Sequence, residues 1–354
     1  MSRAALLPTV GDPFILSYWL SFYEKVWKDE VDQLYVRLSH FPWIPNAVMD
    51  YTRDLLNRTT RCTWSEAEME NHGPALTHLV NQCQQDLVVF VEEDSFTWKP
   101  GHFDAQFKLI ESRTTDLVGS PRLSCSQPIW DATEAKYGKL ENQPYGDPGP
   151  NWWPNGFFIR KADLLRTDMD FANHHWPIGE RIAELNLEAT NATGMLVGDT
   201  MVWMSIQLRA LGLRNIDIPQ YHSWPLDLEL HDEGPKHLWD GVCPWVHVGS
   251  LSTTVVGGAD QCFFAEPTAF KAYVQHLRDY CDSEPHSAPS TRREFRRRFA
   301  WIRLILESAW QYTHAISEWR DRYAQNLSQI PAILGLDTEY MARLQAAWRE
   351  VIPW

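Results

Sequence analysis

The six cysteines, at positions 62, 83, 125, 243, 262 and 281, include no C-x-x-C pair. That spacing argues against a zinc site or a disulfide framework and leaves free thiols as the expectation. No apolar run approaches the roughly 20 residues that a membrane-spanning helix needs. The opening segment, Met1 to Val10, has one positive charge and too short an apolar stretch for a signal peptide, so the expected location is cytoplasmic. Positive charge is scarce: 32 Lys and Arg stand against 46 Asp and Glu, a formal net charge of −14. Such a surface repels polyanions, which disfavours a general nucleic-acid binder. There is no internal repeat and no low-complexity tract.

The remaining composition is that of a globular protein. With 354 residues, 44% hydrophobic and 22% charged, the chain is long enough for one large α/β domain with an added helical lobe. Tryptophan is frequent, at 18 residues; indole rings fill cores and also stack on sugars and bases. One segment departs from the acidic trend. Arg292, Arg293, Arg296, Arg297, Arg298 and Arg303 are interleaved with Phe295, Phe299 and Trp301, a candidate nucleic-acid patch or a helix face paired with acidic neighbours.

The most informative stretch is Asp86 to Lys99. Leu87 to Val91 is a continuous, mostly β-branched apolar run, suited to a strand covered on both faces of a parallel sheet. Glu92, Glu93 and Asp94 follow at once. Ligands of open α/β sheets gather outside the carboxyl ends of the strands, so three carboxylates there are placed to hold a divalent cation.

Ahead of it, Ala4 to Val10 reads as a first strand, Phe14 to Trp27 as a helix and Gln33 to Leu38 as a second strand, a unit of a parallel sheet. A helix through Met49 to Asn57, a polar stretch and a helix from Pro74 to Gln84 lead to the central strand. Beyond the acidic residues come a helix over His102 to Ser112, a strand over Thr115 to Gly119 and a Pro/Gly/Asn-rich stretch, Gln127 to Pro154, with the character of a long binding loop. An apolar strand ending at Arg160 and a short helix from Lys161 to Leu165 follow. Met201 to Gly212 has the pattern of a helix capped by Asp199 or its neighbour and ended by Gly212. Leu213 to Ile218 returns as a strand, and His247 lies in an apolar segment. From residue 261 onward the pattern is helical. The expected organisation is a catalytic domain over residues 1–260, with a mixed, mainly parallel sheet flanked by helices, and a helical C-terminal lobe over 261–354.

In this order the parts resemble metal-dependent nucleotide-sugar glycosyltransferases of the Rossmann-like GT-A fold, over about Ala4 to Val256. The resemblance rests on Glu92-Glu93-Asp94, on Gly198-Asp199-Thr200 at a helix start, and on His247-Val248-Gly249-Ser250. It implies that Asp94, with Glu92 or Glu93 and with His247, binds Mn²⁺ or Mg²⁺ on the diphosphate of a nucleotide-sugar donor, a UDP-sugar. It also implies that Thr9, Val10, Asp12 and Ser250 line the donor site, that Asp199 is the catalytic base or orients the acceptor hydroxyl, and that Trp152, Trp153 and Asn155 form a sugar platform. The activity implied is that of a hexosyl- or pentosyltransferase acting on a small molecule, a glycan or a protein. Three alternatives stand beside it. The arginine segment suits a transferase of the phage kind that acts on hydroxymethylated DNA bases. A nucleotidyltransferase would also grip a diphosphate, although the turn Gly11-Asp12-Pro13 is not a glycine-rich phosphate loop. The last is a nucleotide- or sugar-binding α/β protein without catalysis.

Overall fold

The computed structural model describes residues 1–217 except 12, 43, 45, 98–99, 123–124 and 141–148, together with 221–222 and 245–247; for 13–15, 18, 47–48, 96, 122, 221–222 and 245–247 it gives the backbone alone. The expected C-terminal lobe, the arginine segment, Asp12 and Ser250 lie outside these residues.

The architecture is α/β. Seven strands form the main sheet: β1 (Arg3–Thr9), β2 (Gln33–His40), β3 (Cys62–Glu68), β4 (Leu87–Phe90), β5 (Leu117–Gly119), β6 (Phe157–Arg160) and β7 (Asn215–Asp217). Their order across the sheet is β3-β2-β1-β4-β6-β5-β7. Only β6 runs against its neighbours, β4 and β5, and every other pairing is parallel. Helices α1 (Pro13–Phe22), α2 (Asn46–Arg58), α3 (His72–Gln82) and α4 (His102–Glu111) connect the first five strands. Further on come α5 (Gln127–Tyr137), the short α6 (Lys161–Leu164) and α7 (Val202–Ala210).

Strands β1 and β4 are central, and every residue from Ala4 to Thr9 and from Leu87 to Phe90 is buried, as continuous apolar runs require of strands covered on both faces. In β6 the period of two is visible as packing. Phe157 meets Phe90 and Trp152 on one face, with ring centroids 6.0 and 5.9 Å away. Phe158 meets Phe103 and Phe107 of α4 on the other, at 5.4 and 5.2 Å. Arg3 ties β1 to α4 through a fork onto Glu111 at 3.0 and 2.9 Å and a bond to Asp104 at 2.8 Å.

Several expectations need correction. The polar stretch after α2 contains β3, an edge strand paired with β2 over seven positions. Its Thr63, Ser65, Glu66 and Glu68 suit an edge that must not recruit another chain. The Gln127 to Pro154 stretch, expected to be a long loop, begins with α5, which has Pro near its first position and Gly138 just past its end at φ 82°. The first helix does not stay α-helical to Trp27, because Tyr23–Trp27 widens into a π-turn. This winding sets Trp27 against Tyr23 at 4.9 Å and against Phe103 at 4.5 Å.

Asp116 fastens the sheet's far edge. It accepts the backbone N–H of Arg214 at 3.0 Å, the Arg214 guanidinium at 3.1 Å and that of Arg160 at 3.3 Å. Hydrogen bonding from Arg214 pulls the Asp116 carboxyl from 3.8 down to about 2, against the opposing effect of burial. A depressed carboxyl contributes stability that is present above 3.8 and is lost as pH falls towards 2. With solvent screening the contribution is about 1 kcal/mol. Asp116→Asn is therefore expected to be less stable than the wild type by that amount at pH 7, and the gap should close near pH 2 in urea titrations. A gap equal at both pH values would remove the charge from the account.

Candidate functional site

Because β1 and β4 are adjacent and parallel, their carboxyl ends open at the same edge of the sheet. At the end of β1 the Thr9 hydroxyl accepts the Gly11 N–H at 2.9 Å and donates to the Glu93 carboxylate. Gly11 has φ +77°, and a Cβ there would stand 2.4 Å from Leu38 Cδ1. Glycine is therefore the residue that lets the chain turn at this corner. The Thr52 hydroxyl closes the corner by donating to the Gly11 carbonyl at 3.1 Å.

At the end of β4 the Val91 N–H still reaches the Leu6 carbonyl, at 3.0 Å. The chain then turns over Glu92 to Ser95, with the Ser95 N–H on the Glu92 carbonyl at 3.1 Å and Glu93 and Asp94 at the corners. Glu93 and Asp94 are 4% and 6% exposed. The two glutamates are held from different sides. Glu92 accepts the Trp153 indole N–H at 2.7 Å, its backbone N–H donates to Asn155 Oδ1 at 3.3 Å, and His72 Nε2 lies 3.7 Å from its carboxylate. Glu93 is bound to Thr9.

The turn leads into a short strand, Ser95–Thr97, paired with Trp245–His247, and the register sets His247 opposite Ser95. The backbone of His247 thus lies across from the residue after Asp94. Among the described residues, no three His, Cys, Asp or Glu side chains converge to hold a metal ion. The donor set at this edge, carboxylates with a histidine position beside them, suits a hard divalent cation in kind.

The platform residues divide. Trp152 is 1% exposed, with its indole N–H on Asp217 at 3.0 Å, so it is a core ring and offers no face to a sugar. Asn155 is fully buried and shapes the turn at Glu92. Trp153 is half-buried and lies against the acidic turn. Thr9, 4% exposed, supports Glu93, while Val10 is half-buried at the strand end.

Asp199 does not cap α7 with its side chain. Its carboxylate accepts the N–H of the next residue, Thr200, at 2.8 Å, and its carbonyl accepts that of Val202 at 3.1 Å. The residue before the helix is Met201, at φ 76°. Gly212 follows the helix at φ 67°, as expected. Contacts link this element to the acidic turn. The Met201 N–H reaches the Phe171 carbonyl at 3.3 Å, and the Phe171 ring lies 5.4 Å from that of Phe90, the last residue of β4. A Cβ on Gly73 would stand 2.5 Å from Ala172 Cα, so the start of α3, which carries His72, packs directly on the same segment. His72 and Phe171 belong to no motif, and no sequence signal marked them.

No known protein-family model matches the sequence, and no curated protein matches it. Among solved structures, the chain is similar to the mannosyltransferase PcManGT from Pyrobaculum calidifontis in complex with GDP-Man and Mn²⁺, at 13% identity over 99% of this chain and 85% of that one, TM-score 0.41. It is also similar to mouse xyloside xylosyltransferase 1, at 8% identity over 71% and 98% of the two chains, TM-score 0.40. A third is S. aureus TarS 1-349 in complex with UDP-GlcNAc, at 12% identity over 97% and 92%, TM-score 0.37. Likeness this distant carries no functional argument. No helix among the described residues is long and apolar enough to cross a membrane.

Proposed function

We propose that the chain is a glycosyltransferase that moves a sugar from a nucleotide-sugar donor, a UDP-sugar, to an acceptor hydroxyl. The observation that carries this reading is the shared edge of β1 and β4. There the Thr9 to Gly11 corner is bonded to a turn with two buried carboxylates, and the strand that ends at His247 is paired beside it. Asp94, a neighbouring glutamate and His247 would hold Mn²⁺ or Mg²⁺. A bound cation supplies positive charge where the leaving diphosphate becomes more negative. Val10, with Asp12 and Ser250, would take the nucleoside side of the donor.

Asp199 serves as the base. The bond between the sugar carbon and the phosphate oxygen breaks and its electron pair leaves with the diphosphate. The acceptor oxygen forms the new bond to that carbon, and its proton passes to the Asp199 carboxylate.

Thermal melting with UDP and Mn²⁺, added separately and together, tests the reading. A ligand that binds only the folded chain stabilises it by mass action, by about 2.7 kcal/mol at one hundred times its dissociation constant, and so raises the melting temperature. The pair together is expected to raise it by several degrees, by more than the two single shifts combined. No shift with the pair would exclude a shared metal and nucleotide site.

A further inference from the structure

Beside Asp199 lies an aromatic cluster that the reaction above does not use. The short strand His174–Trp176 pairs antiparallel with Leu196–Gly198, in a register that puts His174 opposite Gly198, the residue before Asp199. The His174 ring stacks on Trp176 at 5.2 Å and 18°, and lies 5.9 Å from Trp203 in the first turn of α7. The Thr200 hydroxyl, on the other side of Asp199, donates to Asn173 Oδ1 at 2.7 Å and binds the two segments together.

The cluster is fixed in place and reachable. Asp168 Oδ2 accepts the Trp203 indole N–H at 2.7 Å and the Gln207 amide at 2.6 Å, which sets the indole's orientation. Asp170 lies 3.1 Å from His174 Nε2, and its Oδ1 accepts the Ala172 N–H at 2.9 Å. Trp203 is half-buried, the His174 side chain is 26% exposed and that of Asp170 is 43% exposed. Held aromatic rings with an accessible carboxylate at their rim suit a pyranose ring: its C–H face lies on the aromatic surface and its hydroxyls donate to the carboxylate. Preorganised rings also spare the ordering that a flexible platform would need. The charge argues in the same direction, because Asp168, Asp170 and Asp199 together repel a phosphate backbone and leave a neutral hydroxyl-rich ligand unopposed.

We propose that Trp203 and His174, with Asp170 at their edge, form a saccharide-acceptor subsite beside Asp199. The name acceptor rests on the transferase reading; saccharide binding does not. The test uses saturation-transfer NMR on the full chain without donor, with a panel of methyl glucosides, galactosides and mannosides and their disaccharides at millimolar concentration. At least one saccharide is expected to bind, and Trp203→Leu and His174→Ala each to weaken it by about fivefold to tenfold, the scale of one ring contact. The melting shift with UDP and Mn²⁺ should persist in both variants. His174→Ala leaves the Trp203 anchor intact, which guards against a misfolded Trp203→Leu. The proposal is overturned if no saccharide in the panel binds, or if binding is unchanged in both folded variants. A saccharide signal without any UDP and Mn²⁺ shift would keep the subsite and sink the transferase.

Discussion

Asp94→Asn is expected to lower metal-stimulated turnover of a UDP-sugar by about 10²–10³, the scale of removing one preorganised electrostatic contact from a water-poor site. The two side chains are nearly isosteric, and the melting temperature without ligands should stay near that of the wild type. Asp94 is 6% exposed in the turn that follows β4, a strand whose four residues are all fully buried, so its position is set by backbone geometry. Removal of its charge should also abolish the extra melting shift that Mn²⁺ gives with UDP. The glutamates provide the internal comparison. The Glu92 carboxylate is occupied by Trp153 and His72, so Glu92→Gln should cost less turnover than Asp94→Asn. Glu93 is tied to Thr9, and Glu93→Gln should act mainly by loosening the bond between β1 and β4. Turnover in Asp94→Asn equal to the wild type would remove the acidic turn from the chemistry, and an equal loss in all three variants would point to general disruption of the turn.

The central sheet was legible because burial on both faces writes itself as an uninterrupted apolar run. Leu87 to Phe90 and Ala4 to Leu7 could be little else. The edges were not legible, since an edge strand pairs through its backbone and is free to be polar. Cys62–Glu68 therefore looked like a connection although it pairs along its whole length. For α5 the signals were present and outweighed: Pro128 at the start and Gly138 after the end are a helix signature, but the Pro, Gly and Asn density further along coloured the whole stretch. The small pairings over residues 174–198 involve two or three residues each, too few to show a period.

For the candidate site, the sequence could mark chemistry but not partnership. An acidic run at a strand end was visible. That Thr9 would bind Glu93, or that Asn155 and Trp153 would converge on Glu92, depends on β6 running antiparallel beside β4, which brings the turn before β6 to the end of β4. Trp152 and Trp153 are neighbours of the same type, yet Trp152 places its indole in the core against Asp217 while Trp153 stays half-buried against the acidic turn. No reading of residue type separates them.

Phe158→Ala is expected to cost about 4 kcal/mol of folding stability, near the middle of the range for a large aromatic ring removed from a core. Phe158 is fully buried in β6, with Val89 and Val118 on the flanking strands opposite it in register. Above it, Phe103 and Phe107 meet its ring edge-on at 78° and 81°. Collapse into the space would need α4 to move, and Arg3 holds α4 to β1 through Glu111 and Asp104. The cavity should therefore stay open and the loss stay large, which for a domain of ordinary stability is a considerable share of the total. Phe158→Leu keeps most of the volume and should cost less than about 1.5 kcal/mol. Urea titrations of both variants give the comparison through their midpoints at unchanged slope. A loss below about 1 kcal/mol for the alanine variant would mean that α4 is not seated on this face of the sheet. The turn that carries Trp153 and Asn155 leads directly into β6. At urea concentrations where the alanine variant is still folded, an early loss of the UDP and Mn²⁺ response would show that the packing beneath β6 also keeps Glu92 in place.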